Sequence, residues 1–192
     1  MKIKKIGALC KENKKCFLLD ELSPEGEIIR QWISNGFAMW PVSGLPQLRE
    51  ANLSTLFDFS ANATEKIHIK EQEMPGVFYE FLYDLRDGER ELQESTVRIR
   101  EDGMELMALT TGPDVIWLNA SLLTPCWTKE TRLVARGEYV AVLDGLFLSG
   151  IILPVVVGDA TFRELLRLGT SAKRPVLPPV EAPEDEGDDD AG

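Results

Sequence analysis

Three times along the chain an apolar run is cut by a two-residue turn signal and then resumes. Asn35-Gly36 separates EIIRQWIS from FAMWPVS, Asp102-Gly103 separates STVRIRE from MELMALTT, and Asp144-Gly145 divides YVAVL from LFLSGIILPV. A two-residue hairpin loop needs positive φ at its central positions, which Asn, Asp and Gly tolerate, so each spacing predicts a hairpin. Stretches 16–21, 65–71, 76–84 and 115–119 are rich in β-branched and aromatic residues and are expected as further strands.

The third run raises a membrane question, because residues 139–158 are twenty positions with a single charge. After Asp144 only fourteen uncharged residues remain before Asp159, and a spanning helix needs about 20. Gly145, Gly150 and Pro154 interrupt it further. The run is therefore expected to fold back as a hairpin apolar on both faces, at the doubly covered centre of a sheet, and no membrane is expected as partner.

Helical spacing appears in three places. Residues 2–13 place apolar side chains at 3, 6, 9 and 10; residues 45–59 open with Pro46 near a first turn; residues 159–169 run from Asp159 as N-cap to Gly169. The expectation is an α+β fold: a mainly antiparallel sheet built from hairpins, with about three helices. It would occupy residues 1–170 as one globular domain, with room for two lobes at about 1–75 and 76–170. From 171 to 192 the composition turns to proline and acid, which predicts a disordered acidic tail.

Composition changes this picture little. The chain is 44% hydrophobic and 28% charged, ordinary for a globular protein. Of its net charge of −11, seven acidic residues lie between 181 and 190, which leaves about −4 on the rest. The opening MKIKKIGALCKENKK carries six lysines against one glutamate, but its apolar stretch, residues 6–10, is shorter than the core of a secretory signal.

Candidate chemistry is sparse. Cys10, Cys16 and Cys126 lack zinc or disulfide spacing and fit free thiols in a reducing cytoplasm. The single histidine, His68, alternates with Ile67 and Ile69, so it is expected to face water beside Lys66 and Lys70, with no carboxylate marked to orient it as a base. No glycine-rich phosphate loop, metal-ligand spacing or cofactor motif occurs. DEGDDD lacks the alternating ligands of a calcium loop. Lys2, Lys4, Lys5 and Lys11 form the one basic cluster that could meet phosphate, or a solvated helix face.

The first hairpin offers more. Its alternation puts Ile29, Ile33, Ala38, Trp40 and Val42 on one face and Ile28, Arg30, Trp32, Phe37 and Met39 on the other. The second face mixes Arg, Trp, Phe and Met, the residue types enriched at recognition surfaces. It is expected either to bind a partner or to be covered by a second layer of the same chain.

QWISNGFAMWPVSGLPQLREANLSTLFDF and YVAVLDGLFLSGIILPV resemble small uncharacterised proteins encoded in prophages of Gram-positive gut bacteria. That resemblance implies a bacterial cytoplasm and a phage-related role. It carries over no catalytic residue, since the group has no established activity. VRIREDGMELMALTT is similar to the hairpins of sliding clamps. The leading expectation is thus a non-enzymatic interaction protein of phage type, without cofactor or metal, that docks a phage or host protein through Arg30, Trp32, Phe37 and Met39. A clamp-like replication accessory holding DNA near Lys2, Lys4, Lys5 and Lys11, and a hydrolase or transferase with an unrecognised carboxylate site, are the alternatives.

Overall fold

The computed structural model describes residues 2–74, 89–111, 114–145 and 147–158. The strand expected at 76–84, the helix at 159–169 and the tail from 171 onward lie outside them.

Among the described residues the fold is α+β, with ten strands in one mixed, mostly antiparallel sheet. Helix α1 (Ile3–Asn13) leads into β1 (Lys15–Leu22), β2 (Ile28–Ser34) and β3 (Ala38–Pro41). Two short helices, α2 (Glu50–Leu56) and α3 (Ala61–Thr64), precede β4 (His68–Met74). The rest comprises β5 (Arg90–Glu101), β6 (Met104–Thr111), β7 (Asp114–Asn119), β8 (Thr131–Arg136), β9 (Tyr139–Asp144) and β10 (Phe147–Ile152), with a 3₁₀ turn at Ala120–Leu123; β5 to β7 and β8 to β10 each run as consecutive neighbours, and β8 pairs back onto β5. The spatial order is β4-β1-β2-β3-β10-β9-β8-β5-β6-β7. The one parallel neighbour pair, β1 with β4, is invisible to hairpin spacing, because two helices and their loops separate the partners in sequence.

The apolar run from residue 139 folds back as two strands. Strands β9 and β10 pair antiparallel, and β9 lies between β10 and β8 near the middle of the sheet. Val140 and Val142 enter the main apolar cluster and Ala141 and Leu143 a second one, so β9 is buried on both faces. No described helix is long and apolar enough to cross a membrane.

The turns fall almost where the sequence puts them. Glu101 pairs with Met104, and Asp102 and Gly103 take φ of 49° and 81°, so this loop is the expected one. In the other two the loop comes one residue later: Ser34 pairs with Met39, and Asp144 pairs with Phe147. Asn35 shows why. Its Oδ1 accepts from the N–H groups of Phe37 at 3.1 Å and Ala38 at 2.9 Å, so it caps the loop from the position before it. Moving a loop by one residue changes the pairing sum by two, which preserves side-chain parity and therefore the faces.

The main cluster joins Ile6, Leu9 and Cys10 of α1 with Leu18, Ile33 and Trp40, and continues to Met107, Leu118 and Val142 across the sheet. Helix α2 begins at Glu50 and not at Pro46. Gln31 holds the preceding segment extended by exchanging two hydrogen bonds with the Leu48 backbone, at 2.7 and 3.1 Å. Strand β5 turns a corner: residues 90–92 pair with β8, the register breaks between Glu94 and Arg98, and the remainder pairs with β6.

Candidate functional site

Of the four residues of the expected docking face, Arg30, Trp32 and Met39 lie on strands β2 and β3 and Phe37 in the loop between them, and they are not equally open. Trp32 is fully buried in the second cluster with Met74, Val134, Leu143, Leu148 and Ile151, and Met39 is half-buried against it. The covering layer comes from the same chain, so Trp32 offers no surface to a partner. Its indole N–H donates to Glu21 Oε2 at 3.1 Å. Arg30 stands 5.6 Å over the Trp32 ring and 3.7 Å from the same carboxylate. Sequence reading passes over Glu21 because alternation alone gives no sign of a buried acid.

Phe37 is the member that stays outside, at 50% exposure. Leu153, 47% exposed, continues β10 and donates its N–H to the Phe37 carbonyl at 2.9 Å. The β3–β10 register ends with Ile151 on Met39 and Ile152 on Ala38, and the Leu153 to Phe37 hydrogen bond sets these two backbones side by side just beyond it. Two large apolar residues thus stand together just beyond the packed part of the ladder.

The lysines divide. Lys2 and Lys5 line a cavity of about 360 Å³ together with Glu94, Arg98, Met107, Leu123 and Trp127. Lys4 and Lys11, exposed on α1, do not line it.

An acid pair does exist, near the β4 edge. Asp20 is buried and accepts from Gln31 Nε2 at 2.6 Å, while Arg49 lies 2.7 Å from Glu71 and 3.9 Å from Asp20. Burial raises the Asp20 carboxyl above its ordinary value, with the charge of Glu71 adding to the effect against the Gln31 hydrogen bond. The Glu50 N–H and the Arg49 guanidinium lower that of Glu71. Two carboxyls pushed apart in this way are a familiar acid–base signature. Here, however, the pair lines neither cavity, and both oxygens of Glu71 are taken by the start of α2. The network pins α2 to the sheet.

A second cavity, about 540 Å³, lies between α2, α3 and β4 and is lined in part by Glu50, Ser54 and His68. His68 is exposed as expected, its ring edge-on to Phe17 at 5.7 Å. Glu50 accepts the Glu71 N–H at 3.3 Å, which ties α2 to β4, and no hydrogen bond joins it to His68. The nucleophile–base–orienter chain that acyl transfer needs is not assembled there. Among the described residues no group of three or more His, Cys, Asp or Glu could hold a metal ion.

All three cysteines are buried and free. Cys10 and Cys16 interact, and that contact, followed by burial, raises the Cys10 thiol far above its usual range. Burial pushes Cys126 up to about 11, against the opposing pull of the Ser149 and Trp40 side chains. Comparison with protein-family models, curated proteins and solved structures finds no match.

Proposed function

We propose that the protein acts by binding another protein and not by catalysis, and that the partner docks at the end of the β3–β10 ladder, on Phe37 and Leu153. The observation that carries this reading is the pair itself: two large apolar residues, about half exposed, whose backbones are joined by a hydrogen bond just beyond the end of the ladder. A rigid apolar pair loses little entropy on binding, which is what a hot spot requires. Lys15 lies beside the turn, its Cδ 3.3 Å from where a side chain on Gly36 would begin. An apolar partner segment carrying acidic residues is therefore the best complement.

The acid pair and the His68 cavity favour this reading indirectly, since both are engaged in holding α2 and β4. The three unbridged cysteines fit the bacterial cytoplasm that the prophage resemblance implies.

The experiment is differential affinity capture from bacterial lysate with the native chain and with Phe37→Asp. A protein retained by the former and lost by the latter, with the circular dichroism of the two chains identical, supports the site. An unchanged set of retained proteins removes it.

A further inference from the structure

The cavity beside α1 has features that protein docking at Phe37 does not use. It lies on another part of the molecule and is built from three elements: the start of α1, the corner strand β5 with its neighbour β6, and the segment from the 3₁₀ turn to Trp127. The Lys2 N–H donates to the Pro125 carbonyl at 2.9 Å and Lys2 Nζ to the Trp127 carbonyl at 3.4 Å, so α1 is tied to the opposite wall. Arg98 pairs in register with Met107, which puts its side chain on the face that floors the cavity.

The lining has two distinct parts. Lys2, Lys5 and Arg98 stand against one carboxylate, Glu94, which is ion-paired with Arg98. Lys5 has no ion-pair partner among the described residues, and among the described residues that line the cavity the cations Lys2, Lys5 and Arg98 outnumber the single carboxylate of Glu94, in a chain of net charge −11. The floor is apolar, formed by buried Met107 and Leu123, and Trp127 stands at the wall. Trp32, Trp40 and Trp117 are at most 1% exposed, whereas Trp127 is 38% exposed. A partly exposed indole beside cations offers both an apolar stacking surface and positive charge to one ligand.

We propose that this cavity binds a small organic anion. Its phosphate, sulfonate or carboxylate group meets Lys5 and Lys2, with Arg98 turning from Glu94 toward it, and its planar apolar body lies on Leu123 and Met107 against Trp127. The volume is in the range of small-ligand pockets. Concave shape and low-dielectric walls focus the local positive field on an anion, despite the acidity of the chain as a whole.

The test is calorimetric titration of the full chain with 1-naphthyl phosphate, a planar apolar body with a phosphate. Binding is expected below about 1 mM, with 1-naphthol and inorganic phosphate each about tenfold weaker because each offers half of the recognition. Lys5→Gln, at an exposed position, should weaken the complex about fivefold to tenfold without altering the circular dichroism. Trp127→Phe should abolish the accompanying change in tryptophan emission, because the other three indoles are shielded. The proposal fails if no binding is seen, if 1-naphthol binds as well as its phosphate, or if Lys5→Gln binds unchanged. It fails equally if a single-stranded oligonucleotide binds where 1-naphthyl phosphate does not, which would make the lysines a nucleic-acid contact.

Discussion

The indole of Trp32 on β2 donates its N–H to the buried carboxylate of Glu21 on β1, which gives the polar edge of a ring buried in the second apolar cluster an acceptor. Glu21 is 7% exposed and would be costly there alone. Arg30 closes the group from the solvent side. Trp32→Ala should therefore cost about 3–5 kcal/mol, through the cavity it leaves together with the hydrogen bond Glu21 loses. Trp32→Phe keeps most of the volume and loses the donor, so it should cost about 1–3 kcal/mol. Trp40→Ala, on the opposite face in the main cluster, should match Trp32→Ala at about 3–5 kcal/mol. Denaturant melts of the three variants measure all three values. A Trp32→Ala variant within about 1 kcal/mol of the native chain would contradict the internal packing.

Side-chain parity explains how much of this was legible beforehand. Alternation along β2 and β3 separates Trp32 from Trp40 correctly, even though the loop sits one residue later than Asn35-Gly36 suggests. What alternation cannot say is which face is covered. Val134, Ala141 and Leu143, which bury Trp32, lie a hundred residues further on and reach it only through the order β3-β10-β9-β8. Phe37 and Leu153 are adjacent for the same long-range reason, and so are Lys5 and Trp127. Strand β8, whose TRLVAR carries two arginines, lacks the apolar run that marks its neighbours and goes unseen in the sequence. Local turn chemistry was readable; the pairing of distant strands, which creates both candidate surfaces, was not.

Gly7 should tolerate no side chain. It is buried in α1, and a Cβ there would lie 2.6 Å from Cδ1 and 2.9 Å from Cγ of Phe57. Gly7→Ala gains about 1 kcal/mol of helix propensity but must displace that ring, so a net loss of about 1–2 kcal/mol is expected. Phe57→Leu in the same chain should recover part of it. If Gly7→Ala raises the melting temperature, α1 and α2 do not pack as closely as these distances require.

Thiol chemistry follows burial. Cys126, pushed up to about 11, and Cys10, raised further by Cys16, hold almost no thiolate at neutral pH. Iodoacetamide should leave the folded chain unmodified at pH 7 and label all three cysteines in denaturant, as mass spectrometry would read. Rapid labelling of Cys126 under native conditions would mean that the wall beside Trp40 and Leu123 opens readily.

The acid pair predicts a pH dependence of unusual sign. Asp20 has a folded-state value raised above 3.8, so between 3.8 and that raised value the folded chain holds more protons than the unfolded one, and stability falls as pH rises. Glu71, lowered from 4.5, acts oppositely: its contribution is present above 4.5 and is lost as pH falls through the lowered value. Asp20→Asn removes the first effect and leaves the second. Its oxygen can still accept from Gln31, and its amide can donate toward Glu71, as the protonated acid does. The advantage of Asp20→Asn over the native chain should therefore grow between pH 3 and pH 7 and be smallest at the acid end. Urea melts at half-unit intervals would trace the difference. A difference that stays flat, or shrinks toward pH 7, would mean that Asp20 is ionised at little cost and that the Arg49 guanidinium, 3.9 Å away, outweighs its burial.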